Sequence, residues 1–405
     1  MRVLVVSQYY WPETFRITEV VQALRDEGCE VLVLTGQPNY PSGVTFKGYS
    51  WWSMGTERHD GVTVLRVPLL PRGNGRAIRL ALNYVSFIFS ATIFGPWLLR
   101  GRSIDSILVF APSPILQVIP AIWLAKLKGT SLVTWIQDLW PESLSATGFI
   151  RNSKLLAVVA SMVKWIYRNN DLLLVQSRAF MDPVRKLAGN TPIGYHPNPG
   201  DFAFSQSGNT EVCPIKFEPG FNVVFAGNLG TVQALGTILD AAEIVQDEEK
   251  ISFYLVGSGS RCEWLKSEIT RRNLTNVKLL GRFPLTAMPS IMSNASVLLV
   301  SLVRNPVMSQ TVPSKVQSYL AAGKPVIASL DGEGARIILE AGAGAAVPAE
   351  DATALAAAIR FLNCSSKNDL ERMGANARGY YEANFEPRLL ASRLKQYLLG
   401  ARKTA

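Results

Sequence analysis

Residues 304–329 read RNPVMSQTVPSKVQSYLAAGKPVIAS, and the parsing of that run decides the fold. It reads as a loop, a helix and a buried strand. Thr311, Pro313, Ser314 and Lys315 lie in the loop; Pro313 or Ser314 starts the helix, Gly323 ends it, and Val326, Ile327 and Ala328 enter a sheet. Such a helix start attracts anions, because its unpaired amides and the helix dipole put partial positive charge beside the lysine. An ordinary capped helix would read the same way. A second turn, Gly227-Asn228-Leu229-Gly230, follows another apolar strand. Two such turns in one half of the chain point to a diphosphate held between them.

Outward from there, strands are predicted near 221–226, 251–256, 277–280, 297–300 and 325–329, with helical stretches between them. The first half repeats the alternation, with apolar runs at Val3–Val6, Val31–Leu34, Val62–Val67, Ile107–Phe110, Leu132–Ile136 and Leu172–Val175. Residues 37–60, rich in Pro, Gly, Tyr and Trp, read as one long loop. Repeated β-α-β order implies parallel, doubly wound sheets. The expected class is α/β, with a Rossmann-like domain over 1–195, a Pro- and Gly-rich linker over 196–220, and a second Rossmann-like domain over 221–386. A basic amphipathic helix in 387–405 is expected to pack back on the first domain. Ligand is expected at the strand C-termini of facing sheets.

The chain has 405 residues, 48% of them hydrophobic, a formal charge of +10 and a pI near 9.5. That balance favours anionic partners: phosphorylated small molecules or acidic lipid. No arginine-rich tail and no nucleic-acid motif is visible, so nucleic acid is not expected. Cys29, Cys213, Cys262 and Cys364 match no metal or disulfide spacing, which fits a reducing, cytosolic face. His59 and His196, the two histidines, offer little material for a metal site or a triad. MRVLVVSQYY passes straight into a strand, which predicts no signal peptide. Residues 80–99, LALNYVSFIFSATIFGPWLL, are long enough to span a bilayer and are flanked by Arg76, Arg79, Arg100 and Arg102. A true crossing would split one sheet across the membrane. The segment is therefore either a buried helix or a helix entering one leaflet, with the arginines at lipid phosphates.

VSQYYWPE lacks the dinucleotide fingerprint, and no phosphate-binding GxxxxGK[ST] occurs, which disfavours a dehydrogenase or an NTPase of that kind. Group transfer from a nucleoside diphosphate remains. Departure of the diphosphate needs cations and N–H donors aimed at the growing charge. Lys315, the amides of Thr311–Ser314 and those of Gly227–Gly230 could supply them, with Arg282 and Arg304 behind. That chemistry calls for neither a metal nor another cofactor.

Seven runs in order, QYYWPE (8–13), QDLWPES (137–143), HPNPGDF (196–202), FAGNLG (225–230), YLVGSGSR (254–261), VKLLGRFP (277–284) and PSKVQSYLAAGKPVIAS (313–329), resemble the retaining family 4 glycosyltransferases of the GT-B fold. PNYPSG (38–43) and QDLWPES are similar to a subgroup that builds O-antigen or capsule, the L-fucosamine transferases of the WbuB type with colanic-acid fucosyltransferases beside them. The resemblance implies a UDP-sugar donor and a polyprenyl-diphosphate-linked acceptor at the inner face of the bacterial cytoplasmic membrane. By it, Gly257 and Gly259 admit the nucleotide, Arg282 and Phe283 line the base, and Lys315 neutralises the diphosphate. The family's pair of glutamates is replaced by Gln310 and Ser318, and its frequent histidine by Gln137, so neutral hydrogen bonds would have to serve there.

Asp138 and Glu142, four apart after a strand, are candidates for orienting the acceptor; alternatively Asp138 caps a helix and Glu142 is a surface charge. Arg16 either meets a phosphate or decorates a helix face, and Glu13, Tyr9, Asn39 and Tyr40 are acceptor-loop candidates. Rival readings are a GDP-fucose-dependent transferase, a sugar-nucleotide 2-epimerase of the same architecture, and a non-catalytic membrane scaffold that binds lipid-linked sugar.

Overall fold

The computed structural model describes residues 1–146, 150, 152–200, 213–248 and 250–401. Much of the expected linker, including Asp201 and Phe202 of the HPNPGDF run, lies outside the described residues. The chain divides into two units: Met1–Pro197 together with the chain from Arg388, and Asn198–Pro387.

The first unit is built on β1 (Arg2–Val6), β2 (Glu30–Gly36), β3 (Gly55–His59), β4 (Val62–Val67), β5 (Ser106–Ala111), β6 (Ser131–Ile136), β7 (Leu172–Val175) and β8 (Ile193–Tyr195). They form one sheet in the order β3-β4-β2-β1-β5-β6-β7-β8. Side chains alternate across it. Leu4 and Val6 face one core and Val3 and Val5 the other, as the two-residue period of a strand requires. The first core is roofed by α2 (Ala77–Leu98), α3 (Val118–Lys128), the short α4 (Glu142–Ala146), α5 (Ser153–Arg168) and α6 (Met181–Ala188). The second is covered by α1 (Ile17–Asp26) and by the C-terminal helix, Pro387–Gly400. That last helix buries Leu394 and Leu398, donates from Lys395 Nζ to the Glu27 carbonyl at 2.5 Å, and from Tyr397 Oη to that of Tyr195 at 3.1 Å.

The second unit holds β9 (Phe221–Ala226), β10 (Ile251–Val256), β11 (Val277–Gly281), β12 (Val297–Ser301), β13 (Val326–Ser329) and β14 (Gly344–Val347), in the order β11-β10-β9-β12-β13-β14. All its pairings are parallel. Its layers include α7 (Leu235–Ile244), α8 (Cys262–Arg271), α9 (Met288–Ser293) and α10 (Ser314–Ala321).

Three strands depart from the sequence reading. Residues 37–60 are not wholly loop: β3, GTERH, pairs antiparallel with β4. Its residues carry no apolar signal; buried Arg66 secures it instead, pairing with Glu57 at 2.5 Å and donating to the Gly36 carbonyl at 2.8 Å. His59 therefore lies on an edge strand. β8 is too short to register as a strand. β14, GAAV, looks flexible in sequence, yet small residues are what its place demands, since a Cβ on Gly344 would fall 2.1 Å from the Val326 carbonyl oxygen.

Helix α2 is long and apolar enough to cross a membrane by length and composition. Asn83, Phe87, Ser90, Ala91 and Gly95 bury one face against the unit. Ile78, Leu82, Val85, Phe89, Ile93 and Trp97 lie on the other and are exposed. Trp123 and Leu127 of α3, which packs beside α2, are exposed as well.

Candidate functional site

A cavity of about 610 Å³ opens in the second unit at the C-terminal ends of β9, β10, β11 and β12. Two glycine turns build its floor. After β9 the chain turns at Gly227 (φ +136°), and after β10 at Gly257 (φ +143°), both left-handed values that favour glycine. The turns touch: a Cβ on Gly257 would sit 1.8 Å from the Gly227 carbonyl oxygen, and one on Gly259 2.4 Å from that of Leu229. A side chain at Gly227 would meet Lys315 Cε at 2.6 Å. Main-chain bonds lock the arrangement, from Gly227 N to Val256 O (2.8 Å), Gly257 N to Gly281 O (2.7 Å) and Leu229 N to Ser258 O (2.9 Å). Buried Tyr319 of α10 grips the end of β9, donating to Ala226 O at 3.1 Å and accepting from Ala226 N at 2.9 Å.

Helix α10 starts at Ser314, with Pro313 in extended conformation before it, and Gly323 (φ +66°) follows its end. Its first two turns bring Ser314, Lys315 and Ser318 to the cavity. Lys315 Nζ donates to Gln233 Oε1 at 2.5 Å and lies 3.6 Å from the centroid of the Phe225 ring. Burial pushes this amine down to about 7, since a charged ammonium loses hydration there. Among the described residues, the lining contains no aspartate, glutamate or histidine. Arg282 and Phe283 line the cavity beyond β11, with Arg282 exposed and Phe283 packed on the core.

Not every donor candidate lies there. Gly227, Asn228, Gly257, Arg282, Phe283, Ser314, Lys315 and Ser318 line the cavity, and Gly230 and Gly259 shape its turns. Arg304, Gln310 and Thr311 are absent from the lining. Arg304 is exposed and engages Asp331 (3.4 Å) and the Ala349 carbonyl (2.9 Å). Gln310 Nε2 donates to Pro306 O at 3.1 Å, and Thr311 Oγ1 to Met308 O at 3.0 Å. Gln233 is the residue that sequence reasoning missed. Only its place, six after Gly227 beyond the turn, could have flagged it.

In the first unit the loop candidates form a second cluster. Buried Glu13 accepts from Asn39 N (2.8 Å) and Tyr40 N (2.7 Å) with one oxygen, and from Tyr10 N (3.3 Å) with the other. Desolvation raises its pKa despite these bonds. Asn39 Oδ1 accepts from Arg72 N at 3.1 Å. Tyr9 stacks on Phe15 with centroids 4.9 Å apart, and the Arg72 guanidinium lies 5.0 Å from the Tyr40 ring and 5.8 Å from that of Tyr9. Glu13 and Asn39 thus spend their polar atoms on loop architecture, while Tyr40 and Arg72 remain partly exposed. Arg16 is half-buried where α1 begins. Asp138 follows β6, accepts from Ser143 Oγ at 3.1 Å and has its pKa raised by burial. It braces the turn into the short helix Glu142–Ala146, on which Glu142 is exposed. Gln137 is half-buried, and its carbonyl accepts from Gln176 Nε2 at 2.6 Å.

Both halves of the chain match glycosyltransferase families. Residues 14–199 match the family described as Glycosyl transferase 4-like domain, and residues 220–363 that described as Glycosyl transferases group 1. WcaI of Escherichia coli K12, named as a colanic acid biosynthesis glycosyl transferase, is 26% identical over 345 residues, covering 80% of this chain and 82% of its own. WbjE of Pseudomonas aeruginosa, named as a glycosyltransferase, is 26% identical over 329 residues, covering 78% and 79%. Among solved structures, sucrose-phosphate synthase from Thermosynechococcus elongatus superposes with a TM-score of 0.72 at 16% identity, covering 98% of both chains. Anabaena HepE in complex with UDP gives 0.67 at 14%, covering 99% and 100%. With two Rossmann-like units and glycosyltransferase matches in each half, the chain is a glycosyltransferase of the GT-B fold.

Proposed function

We propose that the chain moves a sugar, with retention at the anomeric carbon, from a nucleoside diphosphate sugar to a polyprenyl-diphosphate-linked saccharide in bacterial polysaccharide synthesis. The observation that carries this reading is the cavity at the strand C-termini of the second unit, which has no acid among the described residues and has Lys315 at its glycine turns. A diphosphate is the ligand such a lining suits. Lys315 and the N-terminal amides of α10 take up negative charge as the bond from C1 to the diphosphate oxygen breaks. The acceptor hydroxyl attacks C1 from the same face, and its proton passes to the departing diphosphate oxygen. Protein cations thus do what a metal ion would otherwise do, so chelator should leave turnover intact.

UDP is the favoured nucleotide, because HepE holds UDP on the same fold. N-acetyl-L-fucosamine is the favoured sugar, on the resemblance carried by PNYPSG and QDLWPES. Tyr40 and Arg72 of the first unit are suited to an acceptor that carries a saccharide and a diphosphate. The apolar face of α2, with Arg76, Arg79 and Arg100 exposed around its ends, suits one leaflet of an anionic membrane at the cytoplasmic surface. The test is transfer of radiolabelled sugar from UDP-N-acetyl-L-fucosamine to a lipid-linked acceptor. Failure across UDP-, GDP- and dTDP-sugars, with a full panel of lipid-linked acceptors, would overturn the reading.

A further inference from the structure

Several hydrogen-bond acceptors around the same cavity are already engaged within the protein, and those left are neutral. The main-chain carbonyls of Ala226, Val256, Ser258, Leu229 and Gly281 already accept, from Tyr319 Oη, Gly227 N, Leu229 N, Arg261 N and Gly257 N. Gln233 Oε1 already accepts from Lys315. Ser318 Oγ donates to Ser314 O at 3.2 Å, which leaves it a neutral acceptor. Among the described residues, no carboxylate lines the space. What faces a ligand, among the described residues, is the pair of cations Lys315 and Arg282 with the neutral amides of Asn228 and Gln233 and the hydroxyls of Ser258, Ser314 and Ser318.

Such a lining treats the two ends of a nucleotide differently. Phosphate oxygens are acceptors and match it. A ribose diol must donate, and it is read most sharply by a carboxylate that takes both protons. A carboxylate also penalises the deoxy analogue, since it is left desolvated and unpaired. A serine hydroxyl beside open solvent exacts little of that cost.

We infer that this site does not select for the ribose 2′-hydroxyl, so that it accepts 2′-deoxyribonucleoside diphosphates, the thymidine class included, as readily as ribonucleoside diphosphates. The inference rests on reading the cavity as the donor-nucleotide site. UDP and dUDP differ only in the hydroxyl at issue, and dTDP adds a methyl to the base. Titration calorimetry of the full chain with these three nucleotides is the test. Dissociation constants for UDP and dUDP within about fivefold of each other are expected. A preference for UDP above about twentyfold, with binding otherwise intact, would overturn the inference and leave the donor site standing. Binding of none of the three would remove the donor reading itself, and this inference with it.

Discussion

Lys315 Nζ donates to Gln233 Oε1 at 2.5 Å, and among the described residues no carboxylate lines the cavity around them. The amide dipole and the face of Phe225 support the ammonium without cancelling its charge. That leaves the charge available to a diphosphate. We expect Lys315→Ala to lower kcat by about 10²–10³-fold, the scale seen when one donor to a developing oxyanion is removed. The KM for acceptor should hardly move, because the lost interaction belongs to the leaving group. Steady-state kinetics with both substrates varied would check this; near-normal kcat would refute the role.

The low Lys315 pKa makes donor binding depend on pH. Burial sets the free amine near 7, and a bound diphosphate must raise it. Affinity for UDP should therefore be flat below pH 7 and fall by up to about tenfold per unit above it, until the bound-state value is passed. Binding at pH 8 should take up a proton, visible by calorimetry in buffers of different ionisation enthalpy. The same shift bears on stability with a definite sign. Between about 7 and 10.5 the unfolded amine holds a proton that the folded one has released, so stability should rise across that window. Lys315→Met should abolish both effects.

Gln233→Glu tests the pair from the other side. A carboxylate there would hold Lys315 in an ion pair and repel a diphosphate. UDP affinity should drop by about tenfold or more at pH 7.5. Unchanged affinity would mean that Gln233 does not face the phosphates.

Much of this was legible in the sequence, for local reasons. Val326–Ser329 and Phe221–Ala226 are apolar runs with breakers on both sides, and such runs are buried strands whatever surrounds them. Gly227 and Gly257 are legible because turns after strands need glycine, and Lys315 because it follows a proline at a helix start. What could not be read depended on tertiary partners. Gln233 gains its meaning from a lysine far along the chain. β3 exists because Arg66 reaches Glu57. Glu13 looked like a ligand contact because no local feature shows that the loop amides of Asn39 and Tyr40 come back to it.

Glu13 should accordingly behave as a structural residue. Removing its side chain in Glu13→Ala strands the N–H groups of Asn39 and Tyr40, and we expect a loss of about 2–3 kcal/mol in denaturant unfolding. Glu13→Gln keeps one acceptor but turns an N–H donor toward another, so an intermediate loss is expected. UDP affinity should be unchanged in both, because the residue belongs to the first unit and the cavity to the second.

The apolar face of α2 offers a separate test. Phe89 and Trp97 are 67% and 61% exposed, although each side chain would ordinarily seek burial. On a helix they share a stripe with Leu82, Val85 and Ile93, and Arg76, Arg79 and Arg100 stand exposed around its ends. Exposed aromatics on a water-facing surface are costly unless something apolar covers them. Phe89→Glu combined with Trp97→Glu should cut binding to vesicles of anionic lipid by more than about tenfold, since each change removes apolar contact and adds like charge. The changes lie on a surface that the fold does not use, so UDP affinity and thermal stability should hold. Sedimentation with vesicles at low and high salt separates the two contributions: salt should weaken the arginine term and leave the apolar one. A double variant that still binds vesicles as the parent does would show that lipid does not cover this face.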